Sequence, residues 1–410
     1  MMFRLTTHTP FSVLGPFLAA VLSWAVLLCP SPVQAQSNIS VTVPEVDGNQ
    51  GETITLGVTA DLAGNSVDGY DNMQFVFDSS IATFEGVSDG SELSFGDDAF
   101  FVSNLEDEDP SDPDTLRVSN LKDSGPPVTG SGEFLQIDVQ LQVDGGTPFE
   151  LTPSKTPIGS PTSVFSDAND GSALEISTID QGYAGDAAQA QVIHNSADPN
   201  AQTVDLYIDG ARRANDVSFR SATPLTNVKS GGEVKGGGAP ANSSGPADTL
   251  YAQRATFSPN TAYTVVANGV LNPSNFADNP DGESTAFEFF VAEGAQSSGP
   301  SGEVALRPVH GATDAPTVDI GEVGTTVFGS LTYGNVAASY TPVAAEQKRL
   351  VVRPAGSEDI VETFDADLSG LGGGAATVLA SGFLDPSANQ GGPAFRLIAA
   401  LPDGSGVTFG

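Results

Sequence analysis

Short runs of alternating apolar and polar residues recur along the chain, separated by clusters of glycine, proline, asparagine and aspartate. Residues 52–58 (ETITLGV) and 134–143 (FLQIDVQLQV) alternate with period 2, which places successive side chains on opposite faces of a β-strand. Runs that suit α-helices are almost absent, so the pattern predicts an all-β protein. In the second run Ile137, Val139, Leu141 and Val143 are predicted to face a core, and Gln136, Asp138, Gln140 and Gln142 to face solvent.

The second half of the chain carries an internal repeat. Residues 192–199 (VIHNSADP), followed by Val204 and Asp205, return as residues 308–316 (PVHGATDAP), followed by Val318 and Asp319. Residues 263–273 (YTVVANGVLNP) return at nearly the same separation as residues 376–386 (ATVLASGFLDP). Two independent matches at similar separations predict a duplication.

These patterns predict three consecutive β-sandwich domains. Tyr183 to Ala190 lacks a strong pattern and separates the repeat from the first half, and a polar segment separates the two copies. A Gly, Ser and Pro-rich segment inside the first copy, residues 229–248, is predicted to be a flexible surface loop. The predicted boundaries are a signal peptide at 1–35, a first sandwich at 36–183, a linker at 184–190, the first repeat at 191–294, a linker at 295–302 and the second repeat at 303–410.

The first 35 residues have the features of a secretory signal. Arg4 is the one residue of formal charge there, an apolar stretch covers residues 16–29, and small residues precede a cleavage site near Ala35-Gln36. The apolar stretch is too short to span a bilayer. A lipoprotein anchor at Cys29 is the alternative, although Leu28 stands where a small residue is normal. We therefore expect a secreted, extracellular or cell-surface protein whose mature chain has no transmembrane segment.

The charge balance narrows the classes of partner. The chain has 51 Asp plus Glu against 15 Lys plus Arg, for a net charge of -36. Binding a phosphate backbone needs clustered cations, so nucleic acid is excluded as a partner. Cys29 is the one cysteine, which excludes disulfides and Cys-based zinc sites from the mature chain. An acidic surface repels itself at low salt, so we expect adaptation to high salt; a calcium-loaded surface protein is the compatible alternative.

Two segments are candidate calcium sites, the one cofactor that the sequence suggests. Calcium binds six to eight oxygen ligands, and a concentrated acidic loop and an Asp-Ala-Asn-Asp-Gly turn could each supply some of them. The alternatives are a solvated acidic loop and a plain turn. The candidate ligands are Asp107, Asp109, Asp112 and Asp114 in the loop, and Asp167, Asn169 and Asp170 in the turn.

The repeat places one histidine and two aspartates at matching positions in each copy. Imidazole is a frequent base and metal ligand, which favours a binding or proton-linked role. A zinc site needs three or four converging ligands, and a ring that bonds to a nearby aspartate would be the structural alternative. No constellation that supports catalysis is present, so the chain is predicted not to be an enzyme. The candidate residues are His194, Asp198, Asp205, His310, Asp314 and Asp319.

The repeated half resembles the bacterial domain-of-unknown-function family 4397, in two tandem copies. The resemblance is carried by the His-x-x-x-Asp openings with a following Val-Asp, by Leu331-Thr332-Tyr333-Gly334 with Tyr340, and by the Thr-Val-x-Ala-x-Gly strands. It implies a β-sandwich in a secreted or surface protein and no established activity.

The first half resembles cohesin-like and carbohydrate-binding-module-like sandwiches. The residues that carry this are Gly51-Glu52-Thr53, residues 73–78 (MQFVFD), residues 84–90 (FEGVSDG) and residues 130–135 (GSGEFL). The resemblance implies a nine-stranded, immunoglobulin-like or jelly-roll sandwich that binds a dockerin or, in related modules, a polysaccharide. The chain departs from the family at Phe77-Asp78, where Tyr-Asp is usual, and it contains no dockerin segment.

Together these observations predict a non-catalytic binding or adhesion protein that presents β-sandwich modules to an extracellular polysaccharide or a surface protein. The alternative is a structural surface or matrix spacer stiffened by calcium. The mature chain has no tryptophan, which weakens the case for an aromatic carbohydrate platform. Phe100-Phe101 and Phe289-Phe290 place one ring on each face of a strand, so one ring of each pair is a candidate for an exposed partner surface.

Overall fold

The structure is a computed structural model that describes residues 38–96, 100–103, 114–122, 125–152 and 163–410. Within these ranges the regular elements are β-strands and short 3₁₀ helices, which confirms the all-β prediction. No helix in the described ranges is both long and apolar enough to cross a membrane. The predicted signal peptide lies outside the described residues. The 3₁₀ helices are Pro199–Ala201, Pro246–Asp248, Pro273–Asn275 and Pro386–Ala388.

The first part of the described chain forms the N-terminal sandwich, residues 38–185. One layer has the order β5-β8-β3-β1-β11, and the other has β7-β4-β9-β12-β2 with β6 beside β7. Strand β10 pairs with both β4 and β11 and so joins the two layers. The strands are β1 Ile39–Thr42, β2 Glu45–Val46, β3 Thr53–Asp61, β4 Val67–Phe77, β5 Ala82–Asp89, β6 Phe100–Ser103, β7 Asp114–Leu121, β8 Ser131–Leu141, β9 Gly146–Leu151, β10 Val164–Asp167, β11 Ala173–Asp180 and β12 Gly182–Gly185.

Period-2 alternation places the core of this sandwich as predicted. Ile137, Val139 and Leu141 of β8 are buried, and the four polar residues between and after them are half-buried or exposed. Val143 lies beyond the end of β8 and is half-buried, because the strand stops two residues earlier than the alternating pattern. Aromatic rings fill the space between the layers, and Phe77 stacks on Phe149 at 4.7 Å between ring centroids.

The middle sandwich, residues 188–294, has two sheets. One has the order β16-β13-β20-β21 with β17 also on β13, and the other has β15-β14-β18-β19. Its central strands β13 and β20 are parallel, with His194 opposite Ala267. The strands are β13 Ala188–His194, β14 Thr203–Ile208, β15 Ala211–Ser218, β16 Ser221–Ala222, β17 Thr226–Val228, β18 Glu233–Pro240, β19 Tyr251–Thr256, β20 Ala262–Asn268 and β21 Glu288–Glu293.

The C-terminal sandwich, residues 303–410, repeats this plan. Its sheets have the orders β25-β22-β28-β29-β30 and β24-β23-β26-β27, and the parallel pair β22/β28 places His310 opposite Ala380. This common topology supports the predicted duplication. The strands are β22 Glu303–His310, β23 Val318–Glu322, β24 Thr325–Leu331, β25 Thr341–Ala344, β26 Gln347–Pro354, β27 Glu362–Asp367, β28 Ala375–Ser381, β29 Arg396–Ala400 and β30 Gly406–Thr408.

The middle and C-terminal sandwiches share a buried apolar cluster, which we call the sandwich junction. Its buried residues come from matching strands of the two sandwiches. Two buried polar side chains cross it reciprocally: Gln191 donates to the carbonyl oxygen of Leu401 at 2.6 Å, and Arg307 donates to that of Glu293 at 2.6 Å. The two sandwiches therefore bind each other through equivalent positions. The buried residues of the cluster are Ile193, Val266, Phe290, Val309, Tyr333, Leu379, Ile398 and Ala400.

The N-terminal and middle sandwiches are also in contact. Lys229 is buried, and its Nζ lies 3.1 Å from Asp78 of the N-terminal sandwich and 2.7 Å from Asp209 of the middle one. Ser230 Oγ accepts a hydrogen bond from the backbone N–H of Gly146 at 3.0 Å and donates one to the carbonyl oxygen of Asp186 at 2.5 Å. Strands occupy most of the predicted linker 184–190, since β12 ends at Gly185 and β13 begins three residues later.

The prediction of a flexible loop at residues 229–248 is wrong. Strand β18 lies within this segment and is an inner strand of its sheet, between β14 and β19. The three consecutive glycines, Gly236 to Gly238, pair with both neighbouring strands. The loop was predicted from the Gly, Ser and Pro content of the segment, but its glycines lie inside a strand. Glycine in a strand leaves the space of a side chain unoccupied.

Candidate functional site

The two histidines of the repeat are buried and bind backbone carbonyl groups. His194 ends β13, and its Nε2 lies 2.6 Å from the carbonyl oxygen of Ala201. His310 ends β22, and its Nε2 lies 2.9 Å from the carbonyl oxygen of Pro316. Because a carbonyl oxygen accepts hydrogen bonds, Nε2 carries the proton in both rings, and each Nδ1 is buried without a hydrogen-bond partner. Burial lowers the pKa of His194 to about 4 and also lowers the pKa of His310, so both rings are neutral at pH 7.

The first aspartate of each copy joins two turns. Asp198 caps a 3₁₀ helix by accepting a hydrogen bond from the backbone N–H of Asn200 at 2.9 Å, and it accepts a second from that of Leu271 at 2.9 Å. Asp314 accepts a hydrogen bond from the backbone N–H of Leu384 at 2.9 Å. Leu271 and Leu384 follow the parallel strands β20 and β28. Each aspartate therefore ties the turn after the histidine strand to the turn after its parallel partner.

The second aspartate of each copy holds an irregular hairpin. Asp205 accepts hydrogen bonds from the backbone N–H of Asp216 at 2.9 Å and from Ser243 Oγ at 2.5 Å. Asp319 accepts one from the backbone N–H of Ser330 at 2.7 Å. Asp216 and Ser330 have left-handed backbone conformations, with φ of 55° and 52°, which non-glycine residues rarely adopt. Burial raises the pKa of Asp205, but its hydrogen bonds outweigh that effect and lower the pKa below its usual value.

The six predicted site residues therefore bond to groups of their own sandwich, which are backbone groups and a few side chains such as Ser243 and Arg212 at Asp205. The histidine and the aspartates of one copy each have separate partners. Within the part of the chain that the structure describes, no group of three or more His, Cys, Asp or Glu side chains is placed to hold a metal ion. This arrangement favours the structural role of these residues over a ligand-binding role.

The Asp167 turn binds its own backbone. Asp167 ends β10, and Asn169 and Asp170 lie in the turn between β10 and its partner β11. The Asp167 carboxylate accepts hydrogen bonds from the backbone N–H of Asn169 at 2.7 Å and from its side-chain amide at 2.8 Å. Asp170 accepts one from the backbone N–H of Ser172 at 2.9 Å, and hydrogen bonds from the side chain and backbone of Ser172 lower the pKa of Asp170. These contacts are those of a hairpin turn whose side chains bond to its own backbone, and calcium binding by this turn stays a prediction.

The acidic loop is described at one position. Asp107, Asp109 and Asp112 lie outside the described residues. Asp114 is the first residue of β7, is buried, and accepts a hydrogen bond from the backbone N–H of Ser79 at 3.2 Å. Calcium binding by this loop stays a prediction.

One sheet face of the N-terminal sandwich presents a flat array of hydroxyl, amide and carboxylate groups, which we call the Thr/Gln face. It is the outward face of β3, β8 and β5, where Thr55 lies opposite Asp138 and Gln136 lies opposite Ser88. Thr55 donates a hydrogen bond to Asp138 at 2.6 Å, and Ser88 donates one to Gln136 at 3.1 Å. The three strands contain no lysine or arginine. The residues of the face are Thr53, Thr55, Thr83, Ser88, Gln136, Asp138 and Gln140.

Phe289 and Phe290 are both buried, so the prediction that one of them is exposed is wrong. Phe289 lies in the core of the middle sandwich, and Phe290 lies in the sandwich junction. At these two positions both sides of the strand are covered, one by the core of the middle sandwich and the other by the sandwich junction. Side chains of Phe100 and Phe101 lie outside the described part of the chain.

Sequence reasoning missed two buried cations, Lys229 and Arg307. Arg307 is 1% exposed and donates to the carbonyl oxygens of Ala337 and Glu293, both at 2.6 Å. A signal for it was present, since Arg307 interrupts an otherwise apolar run in β22. A cation inside an apolar strand indicates a polar partner across an interface. No comparable signal marks Lys229.

Two family models match separate parts of the chain. The model of the Cohesin domain matches residues 39–178, and that of the Domain of unknown function (DUF4397) matches residues 188–321. Both predicted resemblances are confirmed over these ranges. The match to the DUF4397 model ends inside β23, near the start of the C-terminal sandwich, so the second tandem copy stays a prediction.

Solved cohesins are similar to about a third of the chain. A cohesin from Clostridium acetobutylicum is 19% identical, with 36% of this chain and 90% of that chain covered and a TM-score of 0.30. The sixth cohesin of scaffoldin B from Acetivibrio cellulolyticus, solved in complex with a Cel5 dockerin, is 15% identical, with 36% and 99% covered and a TM-score of 0.28. A non-cellulosomal cohesin from the archaeon Archaeoglobus fulgidus is 14% identical, with 36% and 89% covered and a TM-score of 0.26. No curated protein matches the chain.

Proposed function

We propose that this chain is a non-catalytic protein of the cell exterior that binds a protein partner through the Thr/Gln face of its N-terminal sandwich. The observation that carries the proposal is the match of residues 39–178 to the Cohesin domain, on a sandwich whose Thr/Gln face is open to solvent. Secretion rests on the features of residues 1–35, and the absence of enzymatic activity on the lack of a catalytic constellation in the sequence.

The chemistry of the face suits a protein that offers hydrogen-bond donors or basic side chains. Asp138 stands at the middle strand of the face, and Gln136 and Gln140 flank it on the same strand. A regular sheet holds these groups at fixed spacing, so these side chains lose little conformational entropy when a partner binds. High salt screens the attraction between isolated surface charges, and it weakens the hydrogen bonds between side chains of the face less.

A protein partner is favoured over a polysaccharide. Flat glycan surfaces are bound by exposed aromatic rings, and each of the seven tyrosines is buried or half-buried. The Thr/Gln face itself carries no aromatic side chain.

The test is a capture experiment with the secreted chain immobilised and exposed to culture medium of its source. Asp138→Lys reverses the charge at the centre of the face. Asp365→Lys, at an exposed strand position of the C-terminal sandwich, is the matched control. We expect proteins that bind the unmodified chain and the control, that are lost with Asp138→Lys, and whose capture disappears after the medium is treated with protease.

Two results contradict the proposal. One is that all three chains capture the same proteins, which places binding elsewhere. The other is that capture withstands protease and is abolished by a glycosidase, which assigns a polysaccharide partner.

A rigid spacer is the second candidate function, and the sandwich junction favours it. Residues from 38 onward form one compact unit, and the middle and C-terminal sandwiches bury both apolar and polar side chains between them. A spacer of this kind captures no protein in the experiment above. Stiffening by calcium is part of this candidate and is tested by the calcium titration described below.

A further inference from the structure

The middle sandwich encloses an apolar cavity between its two sheets. Its volume is about 240 Å³. Both sheets contribute walls, and two wall residues at sheet edges, Thr226 and Val291, are exposed, so the cavity reaches the surface. The walls include Ala190, Val192, Leu206, Val234, Val265 and Phe289.

Strand register shows why this space is unfilled. The middle and C-terminal sandwiches have the same strand order, so each wall position has a counterpart in the second copy. At three positions that line the cavity, and at Gly238 next to the lining residue Gly237, the middle sandwich has a smaller or polar residue where the C-terminal sandwich has a bulky core residue. The pairs are Ala214 and Phe328, Gly236 and Leu350, Gly238 and Val352, and Gln253 and Phe364.

The glycines of β18 border open space. A Cβ atom built on Gly238 would have no atom within 4 Å outside its chain neighbours, and one on Gly236 would first meet a Phe289 ring carbon at 3.8 Å. Neither glycine has a positive φ, so backbone conformation does not require glycine there. What the two glycines provide is volume.

The polar groups in the walls are already paired. The Gln253 side chain accepts a hydrogen bond from the backbone N–H of Phe289 at 3.1 Å and donates one to its carbonyl oxygen at 3.2 Å. The Tyr207 hydroxyl lies 2.8 Å from Ser243 Oγ, and Arg213 is paired with Glu150. In a chain with 51 acidic residues, none of the lining residues is acidic. Water needs two to four polar partners to occupy a cavity, and this one offers few.

We propose that this cavity binds a small uncharged apolar molecule. A dry apolar cavity of 150 Å³ holds benzene, with six carbon atoms, so in proportion this cavity accommodates roughly nine or ten carbon atoms. An alkyl chain or fused ring system of that size matches the walls. The site is separate from the Thr/Gln face, and its occupation does not depend on the proposed partner.

The experiment uses naphthalene, which has ten carbon atoms and is fluorescent, as the probe for the full secreted chain. We expect saturable binding at one site per chain and a higher Tm in its presence, because a ligand of the folded state raises stability. Gly236→Leu and Ala214→Phe each supply the residue found at the matching position of the second copy. Each should weaken naphthalene binding at least tenfold and leave the Tm of the free protein unchanged or higher. Gly86→Val, at a strand glycine with no atom within 4 Å of its Cβ position, is the matched control and should bind as the unmodified chain does.

Two results overturn the proposal: the unmodified chain shows no saturable binding, or a folded filling variant binds naphthalene as strongly as the control. The two filling variants lie on different strands, so either one is sufficient if the other fails to fold.

Discussion

Mild acid is predicted to destabilise the protein through His194. This ring is fully buried, donates its Nε2 proton to the carbonyl oxygen of Ala201, and has no hydrogen-bond partner at Nδ1. Protonation would place a charge in an environment with no carboxylate hydrogen-bonded to the ring. Burial accordingly lowers the pKa of His194 to about 4, from 6.5 for an unperturbed ring.

The sign and size of the effect follow from these values. The unfolded chain takes up a proton near pH 6.5, whereas the folded chain resists it until about pH 4. The neutral ring's contribution is therefore complete above pH 6.5 and is lost as the pH falls from 6.5 towards 4. One pKa unit corresponds to 1.36 kcal/mol, so the total from His194 is about 3 kcal/mol. His310 has a lowered pKa for the same main reason and adds an effect of the same sign.

The carboxylates act in a different pH window. The pKa values of Asp205 and Asp319 are lowered below 3.8, so their contributions are present above that pH and lost below it. Neutralising surface carboxylates also relieves charge repulsion, but it does so alike in the protein and in its single variants. A comparison with a histidine variant therefore isolates the ring.

The assay is urea unfolding of the full chain and of His194→Gln between pH 4.5 and 7.5 at constant 1 M NaCl. Glutamine can still donate to the Ala201 carbonyl group and does not titrate. As the pH falls across this range, we expect the histidine protein to lose about 2 to 3 kcal/mol of unfolding free energy relative to His194→Gln. Equal pH dependences for the two proteins would refute the reasoning. His310→Gln, in the other copy, provides the second measurement.

Three further predictions concern junctions and ions. Gly311→Val should lower the unfolding free energy by about 1 to 3 kcal/mol in urea titration, because the new side chain would overlap Asn195 and meet Asn268 Oδ1 at 2.8 Å. Gly86→Val is the control and should have a smaller effect. Equal losses of unfolding free energy in the two variants would contradict the packing argument. Lys229→Met should cost about 3 kcal/mol by the same assay, since it leaves the Asp78 and Asp209 carboxylates without their shared cation, whereas exposed Lys235→Met should change little. The Tm should rise with NaCl concentration, because salt screens the repulsion within a chain of net charge -36. A further rise in Tm with millimolar CaCl₂ at fixed 2 M NaCl would establish a specific calcium site, and no further rise would argue against one.

The alternating pattern was sufficient to predict the strands that have one face on the core and the other face in solvent. In β3, and in β8 from Leu135 to Leu141, apolar and polar positions alternate, and burial follows them residue by residue. The pattern fails where both faces are covered. Phe289 and Phe290 are adjacent and both buried, because one faces its own core and the other faces a second sandwich. Local sequence does not record which neighbour lies against a strand.

The roles of the histidines and aspartates were also beyond the sequence. Spacing showed that His194, Asp198 and Asp205 recur as a set, but each bonds to a different set of groups in the sandwich. The partner of Asp198 at Leu271 is far along the chain, and only the parallel pairing of β13 with β20 brings it close. Composition misled at β18, since a run of glycines has low strand propensity and is here placed by its two neighbouring strands.

The sandwich junction has the form of a two-fold symmetric dimer interface, contained within a single polypeptide. In a dimer of identical chains every substitution occurs on both sides at once. Here Gln191 and Arg307 occupy matching positions yet differ, as do Asn195 and Gly311. Covalent fusion frees each half to change alone, so one half can keep a filled core that supports the pair while the other gives up packing and acquires a hollow interior.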